Sequence, residues 1–314
     1  MLHLRVISPA GSTEDVLSIL RAAPGATHVV LLRDAGVQPS GDLVEADVAR
    51  EAVDGLIAAL CAVGVDHTGG ITLEQIDTAL SDAADVAGIR APGDPADAVV
   101  WQELLAKTGE ESRLNGTFLA FLAIACLLAA VGAITNSPIT IVGAMVVGPE
   151  FGPLAAIAVG LVLRRGDLVR RGGLALAVGF PLAMTITAVA TWLGHLVGLF
   201  DAAAVFGADH QIDFVYQVGW FSLIVALLAG AAGMLSLTSA KSAALVGVFI
   251  SVTTVPAAGY APLALIFGEW AKFLGSVTQL AVNLIGIVLA AVLVLLLRRG
   301  TWHAAEVKRP LPKG

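Results

Sequence analysis

GAMVVGPEFGPLAAIAVG, residues Gly143 to Gly160, is apolar enough to be part of a membrane-spanning helix, yet Gly148, Pro149, Glu150, Gly152 and Pro153 interrupt its centre. Proline removes a backbone donor and glycine loosens the chain, so a break is expected here. A carboxylate in hydrocarbon is costly, so Glu150 is expected to face protein or a wet cavity. Two readings of it stand side by side: a proton or cation site, or a protonated acid that caps amides freed at the break.

The whole chain supports a bilayer setting. Its 314 residues are 57% hydrophobic and 14% charged, and the mean hydropathy is +0.86, outside the range of ordinary water-soluble domains. Charge divides the chain in two: residues 1–115 hold 18 acidic and 7 basic residues, whereas 116–314 hold 7 and 11. The acidic part argues against a nucleic-acid partner, whose phosphates demand a basic face. The N-terminal residues turn polar at once, unlike a secretory signal. Cys61 and Cys126 form no framework and read as packing residues.

Six apolar segments are each long enough to cross a core of about 30 Å with about 20 helical residues: 117–135, 138–163, 172–199, 217–235, 242–268 and 270–297. The second and fifth contain internal prolines. Arg164, Arg165, Arg170, Arg171, Lys241, Arg298, Arg299, Lys308, Arg309 and Lys313 all fall on one side if every segment crosses once, which expects both termini in the cytoplasm. The other side takes Asp201, Asp209, His210, Asp213 and Glu269 with Lys272; His195, near that side, reads as an interfacial packing residue.

NSPITIVGAMVVGPEFGPLAAI from Asn136 and KSAALVGVFISVTTVPAAGYAPLALI from Lys241 share a polar-Ser start, a Val-Gly step, a proline break and a Pro-Leu-Ala exit. In this pairing Pro149 and Gly152 answer to Pro256 and Gly259, and Pro153 to Pro262. Two halves of three spans then run oppositely, a 3+3 inverted repeat whose broken second and fifth helices meet near the midplane around a cavity. Asn136, Ser137, Pro149, Glu150, Gly152, Pro153, Ser251, Thr253, Thr254, Pro256 and Tyr260 are the candidate lining; Gln279 and Asn283 are polar residues that either line it or bond between helices.

Ahead of the spans, residues 1–75 alternate strand and helix patterns in the order βαββαβ, expected to form a soluble ferredoxin-like α+β domain with a Ser12 cap on its first helix. His28 and His67 read as surface or strand-end residues, since neither sits in a metal-binding cluster. Residues 76–116 read as a linker and an amphipathic coupling helix carrying Trp101, 117–297 as the six-span α-helical domain, and 298–314 as a basic tail.

The motifs TNSPITIVGAMVVGPEFGP and KSAALVGVFISVTTVPAAG resemble the bacterial membrane-protein family known as domain of unknown function 389, over about residues 117–297. Asn136, Ser137, Gly143, Ala144, Met145, Pro149, Gly152 and Pro153 carry the first motif. Gly148 stands where the family usually has Ser, Glu150 where an apolar residue is common, and Val255-Pro256-Ala257 where Pro-Pro is usual. The resemblance implies a multi-pass protein of the bacterial inner (plasma) membrane and brings no activity with it. Three functions are set against one another: a transporter of a small solute or ion, proton- or cation-coupled and regulated by its head; an oligomeric ion channel; and a membrane-anchored sensor or scaffold without transport. Two matched breaks in an anchor would be unneeded, which favours transport. No enzymatic activity and no cofactor or metal are expected; membrane lipid and further copies of the chain, as a homo-oligomer, are the expected partners.

Overall fold

The computed structural model describes residues 1–76, 78–91, 93, 98–206, 219–239 and 254–307. The chain folds as two compact units, one holding Met1–Leu104 and the other Leu105–Leu237 with Lys241–Gly300.

In the first unit, β1 (Leu2–Ser8), α1 (Thr13–Ala22), β2 (Ala26–Val37), β3 (Ser40–Val48), α2 (Val53–Ala62), the single turn α3 (Val65–Thr68) and β4 (Gly70–Gln75) follow one another. The sheet order is β2-β3-β1-β4 with every pairing antiparallel. These are the strands and the order that the βαββαβ pattern expects. Alternation fixes the face: Leu2, Leu4 and Val6 of β1 and Val44, Ala46 and Val48 of β3 are buried with Val16, Leu17 and Leu20 of α1 and Leu56, Ile57 and Leu60 of α2. Ser12 does occupy the cap position of α1, but its side chain makes no capping bond. Instead Thr13 Oγ1 donates to the buried Asp42 carboxylate at 2.8 Å, and Asp42 also accepts from the Asp34 amide at 2.9 Å. Within residues 76–116 a helix does carry Trp101, α5 (Trp101–Glu111), and a further helix, α4 (Asp82–Arg90), precedes it. The alanines of α4 carry too little apolar periodicity to announce a helix there.

The second unit is helical: α6 (Gly116–Ile134), α7 (Pro138–Val147), α8 (Phe151–Val162), α9 (Gly166–Leu196), α10 (Ala202–Phe206), α11 (Trp220–Thr238), α12 (Val255–Ile266) and α13 (Trp270–Val307). Among the described residues, α6, α9, α11 and α13 are each long and apolar enough to cross a membrane. The pair α7–α8, bent by 52° at its break, could make a fifth span. The sixth span expected from the sequence would need α12, only 12 residues long, to be continued by residues 242–253, which lie outside the described residues.

Two local readings change. α9 starts at Gly166, so Arg170 and Arg171 ride on its first turns and only Arg164 and Arg165 belong to the connecting turn. Arg165 lies against Asp167 through two bonds of 3.0 Å; the carboxylate neutralises one cation and lets the helix begin earlier than the charge density suggests. Pro153 and Pro256 also act as starts rather than mid-helix breaks, while Pro262 sits inside α12 without ending it. Pro153 is third in α8 and Pro256 second in α12, positions whose N–H groups have no helical acceptor anyway.

Close backbone approach knits this unit together. A Cβ on Gly259 of α12 would fall 2.5 Å from Ala129 Cβ and 2.7 Å from the Cys126 carbonyl oxygen on α6; one on Gly172 of α9 would fall 2.5 Å from the Pro153 oxygen of α8. Glycine at these positions lets helices pack at distances a side chain would forbid.

Candidate functional site

The break follows from the sequence. α7 ends at Val147 because Gly148 adopts an extended conformation and Pro149 has no N–H to bond back to the helix. Glu150 then occupies the cap position of α8, but its side chain makes no capping bond to that helix. It is wholly buried and points across the unit, where Thr254 Oγ1 donates to Glu150 Oε1 at 2.6 Å. Thr254 is likewise the cap residue of α12 and wholly buried. Two helix starts therefore meet through their cap side chains, and the amide ends of both helices favour negative charge there.

Cys126 of α6 is buried within electrostatic reach of Glu150. Pro256 is buried in the first turn of α12, and Tyr260 is buried one turn on with its ring edge-on to Phe206 at 6.0 Å. Glu150 and Thr254 are thus brought together, with Gly152 and Pro153 on the first turn of α8 and Pro256 and Tyr260 further along α12. Gly152 packs against Glu111: a Cβ there would lie 2.6 Å from Glu111 Cβ.

Asn136 and Ser137 are elsewhere. They form the turn between α6 and α7, Asn136 in a left-handed conformation (φ 47°) and Ser137 accepting from the Thr140 amide at 3.3 Å. The ten residues of α7 put them about 15 Å from the break. A shared polar-Ser motif signals a helix start as readily as a cavity wall. Ser251 and Thr253 lie outside the described residues.

The cavity beside the break is not around Glu150. A pocket of about 340 Å³ is lined by Glu110, Glu111, Arg113, Phe118, Gly148 and Pro149, among others, while Glu150 turns away into the core. Burial, with help from Glu110, raises the Glu111 carboxyl above its ordinary pKa against the opposing pull of Lys107, even though part of the side chain reaches solvent through the pocket. Sequence reasoning misses the carboxylates of α5 as neighbours of the break; only their position just ahead of the first span hints at it.

A second polar group is half legible in the sequence. Gln279 Nε2 donates to Ser222 Oγ, which in turn donates to Asn283 Oδ1 at 3.1 Å, joining α11 to α13. His195 packs edge-on against Phe267 at 5.0 Å. Among the described residues no three His, Cys, Asp or Glu side chains are grouped to hold a metal.

Membrane-length apolar helices that follow a small antiparallel sheet in the chain, with a broken helix pair at the buried carboxylate, define a helical membrane-protein class. Within it, the profile of the family described as Domain of unknown function (DUF389) matches residues 145–289, from the end of α7 into α13. This is the family that the motifs at Asn136 and Lys241 resemble, and the matched stretch contains both Glu150 and Thr254. Comparisons with curated proteins and with solved structures find no match.

Proposed function

We propose that the chain is a membrane transporter that moves a small solute or ion past the meeting point of α8 and α12. The observation that carries this reading is the buried bond between Thr254 and Glu150, two cap residues 104 positions apart. The same interval recurs throughout the unit. α6 and α11 are both 19 residues long and begin at 116 and 220; α8 and α12 are both 12 long and begin at 151 and 255; α9 and α13 begin at 166 and 270.

Even the turns correspond. Arg164 and Gly268 are both left-handed, at φ 56° and 76°, and Arg165 N to Gly160 O (2.7 Å) is answered by Glu269 N to Ala264 O (2.8 Å). This supports a repeat in the register 150 to 254, in which Pro149 and Gly152 answer to Thr253 and Pro256 rather than to Pro256 and Gly259, the partners that motif likeness suggests. Three crossings per half make the halves antiparallel, and interrupted helices meeting between inverted halves are a recurrent substrate site in secondary transporters.

Glu150 gives the site a group able to change charge, and Thr254 a donor that stays with it in either state. Proton or cation coupling through Glu150 follows as the working mechanism. The test is flux or current in liposomes of purified protein under cation, anion and pH gradients, with wild type, Glu150→Gln and Thr254→Val compared. Glu150→Gln is expected to abolish or flatten the pH dependence of flux, and Thr254→Val to shift it. Flux that is unaltered in both variants would remove Glu150 from the mechanism.

A further inference from the structure

We infer that Ser276, Gln279 and Asn283 on α13, with Ser222 on α11, form a binding site for a dehydrated monovalent cation. The three α13 residues are spaced i, i+3, i+7, which puts them on one face of the helix. That face is shut away: Ser276 and Asn283 are 0% exposed and Gln279 is 3% exposed. The bonds run in one sense, from the Gln279 amide to the Ser222 hydroxyl to the Asn283 carbonyl oxygen. Two oxygens of the set are left over, Ser276 Oγ and Gln279 Oε1, both buried with no hydrogen-bond partner among the described residues. Buried polar groups in membrane helices are costly unless something satisfies them.

The first half of the unit shows that packing does not require this chemistry. The residues 104 positions earlier are Phe118, Gly172, Ala175 and Gly179. There the gap is closed by contact alone: a Cβ on Gly179 would lie 2.8 Å from the Phe118 ring, and one on Gly172 2.5 Å from the Pro153 oxygen. Only the second half exchanges ring and glycines for hydroxyls and amides. This comparison of halves rests on the repeat proposed above, whereas the burial and bonding of the set do not.

The donor set selects the ligand. Neutral amide and hydroxyl oxygens replace the hydration shell of a monovalent cation well. Divalent ions call for carboxylates, of which the set has none. A cation held here would give the transporter a coupling ion separate from the proton at Glu150.

Binding can be read without flux. The full chain in detergent is heated in NaCl, KCl, LiCl or choline chloride at constant ionic strength, and its Tm is followed against cation concentration. Tm is expected to rise saturably with at least one alkali cation and not with choline. Gln279→Leu is expected to abolish the rise, and Gln279→Glu, which adds charge to the ligands, to lower the half-maximal concentration on the order of tenfold. Equal Tm in all four salts, or an unchanged cation response in both variants, overturns the site and leaves water as its occupant. Glu150→Gln keeps the cation response if the site is real, so a cation-dependent Tm without any flux would sink the transport reading alone.

Discussion

At Asp54 the fold holds a carboxyl group in conflicting surroundings. Burial raises its pKa to about 6, while the Trp101 amide at 3.1 Å and the charge of Arg50 pull it down. A proton is thus held more tightly in the folded than in the unfolded chain, so the associated stability is fully present below the unfolded value of 3.8 and is lost as pH rises through 6. Asp54→Asn keeps an acceptor for Trp101 and removes the charge. It is expected to stabilise the first unit at pH 8 by roughly 1 to 2 kcal/mol, discounted for partial exposure, and to leave it unchanged at pH 4. Urea unfolding followed by Trp101 fluorescence, with the other tryptophans replaced by Phe, checks this; equal gains at both pH values would refute it. Asp47 behaves oppositely: burial tends to raise it, but bonds from His3 (2.9 Å) and His28 (2.7 Å) outweigh that and hold it low. Neither environment could be read from the sequence, because each depends on a partner more than 15 residues away. The same holds for Glu150, whose burial follows from hydrocarbon physics but whose bond to Thr254 needs the fold.

For elements, the sequence is most informative about where helices and strands lie and least about what prolines do in them. Periodicity alone locates all four strands of the sheet and the apolar lengths of α6, α11 and α13, since burial of one face or of a whole helix leaves a repeating trace. Proline carries no such trace of context: at the third position of α8 or the second of α12 it begins a helix, whereas Pro262 of α12 and Pro181 of α9 sit inside one that continues. Glycine is equally silent about its role until its neighbours are known. Gly259 and Gly143 both lie in apolar helices, yet a Cβ on Gly259 would overlap α6 whereas one on Gly143 meets nothing within 4 Å among the described residues. Gly259→Ala is therefore expected to push α12 off α6 and cost about 1 to 3 kcal/mol, as overpacking does. Gly143→Ala should be neutral or slightly stabilising, because alanine favours helix. Thermal unfolding of the two variants in detergent separates them; equal Tm values would mean that α12 does not approach α6 this closely.

On the scale of the whole molecule, the span count and the orientation are a single question, and the bent pair α7–α8 decides it. If the pair crosses the bilayer, the chain passes through three times between Cys61 and Ala202, and the two positions lie on opposite sides. If it is a re-entrant loop, two crossings remain and they share a side; the antiparallel halves, and with them the inverted repeat, are then lost. The chain's own chemistry supplies half the probe. Cys61 is exposed and Cys126 buried, so a membrane-impermeant maleimide should find only the first. Burial and the neighbouring Asp66 raise the Cys61 thiol, so labelling is best done at pH 8 or above, where more thiolate is present. By the positive-inside rule, arginines at 164, 165, 170, 171 and 298 are expected on the cytoplasmic side, and Cys61 with them. In a Cys126→Ala background, Cys61 is expected to react only in inside-out vesicles. The thiol introduced by Ala202→Cys, on an exposed residue, is expected to react only in right-side-out vesicles. Labelling of both positions from one side would make the break at Gly148–Pro149 the tip of a re-entrant loop. Glu150 would then be a group reached from one face of the membrane, unable to alternate between two.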